Sequence, residues 1–294
     1  MKRALINLHI AVFLAGFTGV LGRLISLNES LLVWYRLLIT VITLFVLFLL
    51  QRSIPMISAK SMMRIFGVGA VVALHWVAFY GSVKYSNVSI ALVCFSTLGF
   101  FSAVIEPVLL RKKLSVIELL LGMLAIIGVY CIFHFDTRFE KGILFGIISA
   151  ILAALFTVLN KKVLEKHEPR TVTFYELTGG FVVLSLILPV YFRLFNIHFA
   201  LPQATDWLWL LILSWLCTVL AFYLSLSALK SISPFTVNLS YNLEPVYGIL
   251  LAFMIYKENK ELQASFYIGL LLIIIAVVLQ MARVYRKRGL RFEV

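Results

Sequence analysis

Charge is what this sequence has little of. Asp, Glu, Lys and Arg make up 13% of its 294 residues, and Asp136 and Asp206 are the two aspartates. So few charged groups cannot cover the surface of a soluble domain of this size, which excludes a water-soluble enzyme or binding module. Cysteine is scarce as well. Cys94, Cys131 and Cys217 fall inside apolar runs without paired spacing, so neither a disulfide framework nor a zinc site is indicated. There is no Walker A loop, so ATP is not the energy source. No cofactor or metal is expected, and no low-complexity linker divides the chain.

Hydrophobic residues are 62% of the chain and the mean hydropathy is +1.03. Length alone suggests two soluble domains, but this composition belongs to a polytopic membrane protein embedded in a lipid bilayer. The formal net charge of +13 does not indicate nucleic acid. The basic residues sit between apolar runs rather than along a stripe, which is the pattern of membrane topology. The opening Met1-Lys2-Arg3 followed by an apolar run resembles a signal peptide. The run is close to the ~20 residues a spanning helix needs, and it lacks an Ala-x-Ala exit, so it reads as a first span.

Ten apolar runs can be drawn, at 5–25, 31–50, 63–83, 88–110, 115–134, 142–160, 171–192, 206–229, 234–256 and 261–284. The breaks carry turn or charge signals, such as Asn28-Glu29-Ser30 and Arg111-Lys112-Lys113. Ser233-Pro234 puts a proline in the first turn of the ninth run, where its missing N–H costs nothing. With the N-terminus inside, eighteen Lys and Arg fall in inner segments and seven in outer ones, with Arg36 inside a span. Both termini are therefore expected in the cytoplasm, with the protein in the cytoplasmic (inner) membrane.

The chain also repeats itself. Lys84 stands 27 residues before Arg111, and Lys230 stands 27 before Lys257. The same offset between halves, 146 residues, matches Leu114 with Lys260. Near the start of each half, Phe17-Thr18 matches Phe156-Thr157, and Trp34-Tyr35-Arg36 matches Phe174-Tyr175-Glu176. Each half, 1–136 and 137–294, then holds five helices. An odd number inserts the halves in opposite senses, so the expected fold is an all-α bundle of ten transmembrane helices in two inverted five-helix repeats, with a site near the midplane between them.

Leu243-Glu244-Pro245-Val246 opens an apolar run that closes in Lys257-Glu258, and a short hairpin runs from Lys84 to Leu92. With the ten runs and the duplication, these features resemble the EamA-type family of the drug/metabolite transporter superfamily, over essentially the whole chain. The first half departs from the pattern: Arg111-Lys112 stands where the family usually has Gly-Glu, and Glu106-Pro107 is eight residues out of register with Glu244-Pro245. The resemblance implies a secondary transporter of small metabolites such as amino acids, most often an exporter, acting as a monomer or homodimer. A membrane-embedded enzyme on a lipid-linked substrate is the competing class. It is disfavoured because no acids or histidines cluster at an interface.

A carboxylate in mid-membrane is costly and marks function. Glu244 is such an acid, on a helix bent by Pro245, and Asn238, Tyr241 and Asn242 share one stripe with that proline at 100° per residue. The repeat pairs Glu244 with Leu98 and His75 with Ala221, so substrate-specific chemistry is expected where the halves differ. His75, with Trp76 and Tyr80, is expected to reach the same cavity as Glu244; a core histidine held by a neighbouring helix is the alternative. Glu244 also offers a route for proton coupling. Arg36 either contacts an anionic substrate or snorkels outward, and Glu176 lies too far down its own helix to pair with it. Tyr35, Tyr175 and Tyr223 are further candidates for the cavity wall. Glu106 and Glu258 read as interfacial, and Gly142-xxx-Gly146 as a close helix contact.

Overall fold

A computed structural model describes residues 2–135, 137–196, 198–241 and 243–289. They are helical almost throughout: α1 (Lys2–Gly16), α2 (Thr18–Leu24), α3 (Glu29–Leu50), α4 (Ala59–Tyr85), α5 (Val88–Phe95), α6 (Leu98–Leu110), α7 (Val116–Phe135), α8 (Glu140–Val163), α9 (Pro169–Phe195), α10 (Ala204–Ser214), α11 (Ala221–Ser231), α12 (Pro234–Tyr241), α13 (Glu244–Tyr256) and α14 (Ala264–Gly289). Among the described residues, seven helical stretches are long and apolar enough to cross a membrane. They are Arg3–Leu24, Glu29–Leu50, Ala59–Tyr85, Val88–Leu110, Glu140–Val163, Pro169–Leu194 and Ala204–Ser231. Shorter apolar helices cover Val116–Cys131, Glu244–Tyr256 and Ala264–Ala276. Side chains such as Leu50, Leu186, Leu194 and Met254 are more than 70% exposed on the outside of the bundle. In water this would be a large unfavourable surface; against lipid it is the ordinary wall of a membrane protein.

Local sequence explains where the helices start. Asn28, Ser58 and Asn87 accept hydrogen bonds from Leu31, Ser61 and Ile90 N–H groups, at 2.9, 3.3 and 2.9 Å, satisfying donors that a helix start leaves open. Pro169, Pro234 and Pro245 sit in first turns, where a fixed φ helps and no N–H is needed.

Three stretches are not uniform. α5 gives way to α6 at Ser96–Thr97, α12 ends just before α13 begins at Glu244, and a π-helical segment, Trp215–Leu220, joins α10 to α11. Interrupted helices at membrane depth persist only where the freed backbone groups line a cavity or meet protein. All three interruptions border the cavity described below.

The core forms where α4 packs on α8 and α9, α7 on α14, and α1 on α11. The α4–α9 contact is backbone on backbone. A Cβ on Gly69 would stand 1.9 Å from the Glu176 carbonyl oxygen, and one on Gly180 would meet the Gly69 carbonyl at 2.7 Å. Gly142 and Gly146 press against Ser86 and Cys94 in the same manner, which is the close contact their spacing predicts. Glu258 is not interfacial. It is fully buried and accepts hydrogen bonds from the N–H groups of Val88 and Ser89 at the start of α5, as well as from Arg23. An acid at the end of α13 reaches there because α13 packs on α5, and the open donors of a helix start attract it.

Candidate functional site

A small internal chamber of about 90 Å³ lies where α1–α6, α8, the π segment, α11, α12 and α13 converge. Its wall includes Thr18, Arg36, His75, Trp76, Thr157, Ser225, Asn238, Tyr241 and Glu244, set among Phe79, Phe95, Phe156 and Phe222.

Arg36 is the cation of this chamber. It is 2% exposed and does not snorkel. Its Nε donates to Thr218 Oγ1 at 2.6 Å, one terminal nitrogen to Tyr80 Oη at 3.0 Å and the other to the Cys217 carbonyl at 3.3 Å. The guanidinium carbon lies 3.8 Å from the centre of the Trp76 ring. Snorkelling loses because an inward guanidinium here finds three oxygen acceptors and an aromatic face at once, while the hydrocarbon chains beside its helix offer none. Two of the acceptors, Thr218 and Cys217, belong to the π-helical segment, whose widened turn departs from regular α-helical hydrogen bonding.

Glu244 is the acid. It is 4% exposed and stands in the first turn of α13, where the positive end of the helix favours a carboxylate. Thr18 Oγ1 donates to the Ala15 carbonyl at 2.7 Å and lies 3.4 Å from Glu244 Oε1, a marginal contact. His75 is both a wall residue and a tethered one. Its Nδ1 sits 2.9 Å from the Ser149 carbonyl and 2.9 Å from Ser149 Oγ on α8, and its ring packs on Phe95 and Phe156. Asn238 Nδ2 donates to Ser102 Oγ on α6 at 3.1 Å, and Tyr241 lines the wall together with Ser225.

The structure therefore brings together Arg36, His75, Trp76, Asn238, Tyr241 and Glu244, with Tyr80 behind them as a hydrogen-bond partner of Arg36. It separates the others. Tyr35 bonds the Ala200 carbonyl and packs on Phe199 and Trp207. Tyr175 bonds the Pro55 carbonyl at 2.7 Å. Glu176 is buried between helices and accepts from Asn160 Nδ2 at 2.8 Å. Tyr223 is 42% exposed. Asn242 lies outside the described residues.

Thr18, Thr157, Phe156 and Ser225 were not among the sequence candidates. One signal for them was present: Phe17-Thr18 and Phe156-Thr157 are matched positions of the repeat, and both threonines line the chamber. Among the described residues no group of three His, Cys, Asp or Glu is placed to hold a metal ion.

The model of the EamA-like transporter family matches residues 2–134 and again 140–282. The chain belongs to the EamA-like transporter family. Transporter YetK of Bacillus subtilis, itself described as uncharacterized, is 28% identical over 276 residues, covering 88% of this chain and 81% of YetK. The uncharacterized transporter YxxF of the same organism is 23% identical over 99% of this chain and 93% of its own. One solved crystal structure superposes with a TM-score of 0.68 at 14% identity, over 97% of this chain and 99% of the other, a likeness of fold alone. The EamA-like protein is thus a multi-pass membrane transporter, not an enzyme, and its setting is a lipid bilayer with a small molecule as substrate.

Proposed function

We propose that this transporter is a secondary carrier, working as an exporter, that moves a small zwitterionic metabolite of the amino-acid type across the cytoplasmic membrane by alternating access. The observation that carries the reading is one chamber holding a buried guanidinium, Arg36, and a buried carboxyl, Glu244, inside an aromatic wall. Arg36 would meet a substrate carboxylate, Glu244 an ammonium group, and the rings of Phe95, Phe156 and Phe222 an apolar side chain. At about 90 Å³ the chamber is well below the ~300 Å³ at which small-molecule sites begin. Substrate entry therefore requires the walls to part, and the interruptions at Ser96–Thr97 and ahead of Glu244 are where the helices are most easily bent.

The ten-span, inverted-repeat architecture is part of this proposal, with halves 1–136 and 137–294 and both termini cytoplasmic. Three features support it. The two family matches divide the chain at the same place. The sequence-matched pairs Glu244 and Leu98, His75 and Ala221, and Thr18 and Thr157 all line one chamber, as expected when two halves face each other across it. The packing also exchanges: α4 on α8 is mirrored by α11 on α1, and α4 on α9 by α10 on α3.

The test is transport by the purified protein in liposomes. Uptake and efflux of a panel of neutral, acidic and basic amino acids are measured against protein-free liposomes, with and without a pH gradient. Flux of a neutral amino acid well above the control supports the proposal. No flux of any amino acid under either condition would rule the substrate class out.

A further inference from the structure

A second cavity, far larger than the central chamber, opens at the end of the bundle where α4 begins and α6 and α8 end. Its volume is about 850 Å³. The wall is basic: Arg64 on α4, Arg111 and Lys112 after α6, and Lys161, Lys162, Lys166 and His167 at the end of α8 and the turn after it. Glu165 is its acidic member. The rest of the wall is largely apolar, with Ile65, Val68, Leu109, Leu110, Leu159 and Val163. Gly67 also faces open space, since a Cβ there would meet nothing within 4 Å. None of these residues lines the central chamber.

Two of the cations are already engaged. Lys112 pairs with Glu106 at 2.7 Å, and Lys161 bonds the Leu229 and Ile232 carbonyls at 2.7 and 3.0 Å. Arg64, Arg111, Lys162 and Lys166 have no ion pair among the described residues. At the opposite end of the bundle Arg23 is matched by Glu258. The cations there without an ion pair among the described residues, such as Lys141, Arg193, Lys257 and Lys260, stand singly on exposed positions and line neither this cavity nor the central chamber. A topology signal asks only that cations lie on one side of the membrane. It does not ask that four unmatched cations line one concavity with an apolar wall at the level of the helix ends.

We infer that this cavity is an anion site for a phosphate-bearing group, with the chemistry of an anionic phospholipid headgroup. Guanidinium and ammonium groups bind phosphate by charge-assisted hydrogen bonds, and basic pockets between membrane helices suit acidic headgroups while apolar walls receive the chains. A soluble phosphate would use the same cations without the apolar wall, so the experiment separates the two sources.

Full-length protein is purified and its bound lipid counted by native mass spectrometry in mixtures of dioleoylphosphatidylglycerol and dioleoylphosphatidylcholine, alone and with added inorganic phosphate. The test variant carries Arg64→Gln, Arg111→Gln, Lys162→Gln and Lys166→Gln. A control carries Lys141→Gln, Arg193→Gln, Lys257→Gln and Lys260→Gln, which removes the same charge outside the cavity. Melting in phosphatidylcholine checks that both fold, and the single variants Arg64→Gln and Lys166→Gln stand in if the fourfold variant does not. Wild type and control are expected to retain phosphatidylglycerol in preference to phosphatidylcholine, and the cavity variant to lose that preference by about tenfold or more. Displacement of the lipid by inorganic phosphate would support the same anion site with a soluble source. Equal retention by cavity variant and control, or no preference for phosphatidylglycerol in wild type, overturns the inference.

Discussion

Glu106, at the end of α6, accepts a hydrogen bond at 2.7 Å from the backbone N–H of Phe235, at the start of a helix 129 residues further along the chain. Glu258, at the end of α13, does the same for Val88 and Ser89 at the start of α5, at 3.0 and 2.8 Å. By the 146-residue offset Phe235 matches Ser89, so each half caps a helix of the other. The acids themselves are not matched: Lys112 stands at the position of Glu258, and Glu106 supplies the carboxylate from six residues earlier while pairing with that lysine.

This arrangement predicts unequal costs. Glu258→Ala removes an acceptor from two backbone N–H groups, the Ser89 hydroxyl and Arg23, in a fully buried site. It is expected to destabilise by about 3 kcal/mol, as buried donors left unpaired do. Glu106→Ala strands one buried N–H and a lysine that is half exposed, and should cost about 1 kcal/mol. Chemical denaturation in a mild detergent measures both, and equal losses would contradict the capping argument.

Arg36→Lys tests the cation of the chamber. An ammonium group has no planar fork and cannot hold Thr218, Tyr80 and the Cys217 carbonyl at once while lying on Trp76. The melting temperature is expected to fall, because at least one of these buried acceptors is left unpaired, but the protein still folds and can be assayed. Transport should fall by about tenfold or more, with the apparent affinity for substrate carrying most of the loss. If Arg36→Lys transports with unchanged affinity, the guanidinium is a structural brace.

Glu244→Gln keeps the shape and hydrogen-bonding capacity of the side chain and removes its charge and titration. It is expected to insert and purify normally and to lose most net transport. If Glu244 also carries a coupled proton, substrate exchange at equal pH survives in this variant while stimulation by a pH gradient disappears. His75→Ala is expected to alter substrate preference more than pH response, because His75 lines the wall while tethered to Ser149. Wild-type behaviour of Glu244→Gln at every pH would assign the acid to structure alone.

Gly69→Ala probes the closest helix contact. The new Cβ would stand 1.9 Å from the Glu176 carbonyl oxygen, so α4 and α9 must separate along their shared length. The expected result is a loss of about 3 kcal/mol or failure to accumulate, the upper end of the usual cost of overpacking, because the contact is with backbone that cannot rotate away. Gly67→Ala, facing open space, is the control and is expected to be neutral or slightly stabilising.

Topology is checked by single cysteines on a background with Cys94, Cys131 and Cys217 replaced. Lys60→Cys and Lys141→Cys both lie on exposed positions. A membrane-impermeant maleimide applied to intact cells should label position 141 and spare position 60. The reverse pattern would invert the topology, and labelling of both would break the five-helix parity of the halves.

That the chain crosses a membrane, roughly where its helices begin and end, and that it is built twice over can all be read along the chain. Each of these rests on local or repeated signals: hydropathy summed over a run, an Asn or Ser at a helix start, a proline in a first turn. The sequence also points to Glu244, His75 and Asn238, because a polar side chain inside an apolar run stands out without any knowledge of its partner. What those side chains face depends on packing between distant helices. Arg36 turns inward, Glu176 meets Asn160 away from the chamber, and Glu258 is buried as a cap. Helices that are apolar on every side carry little periodicity to fix their rotation. Their orientation is set by which neighbours pack closest, through contacts such as Gly69 on Glu176, and those contacts join residues more than a hundred positions apart.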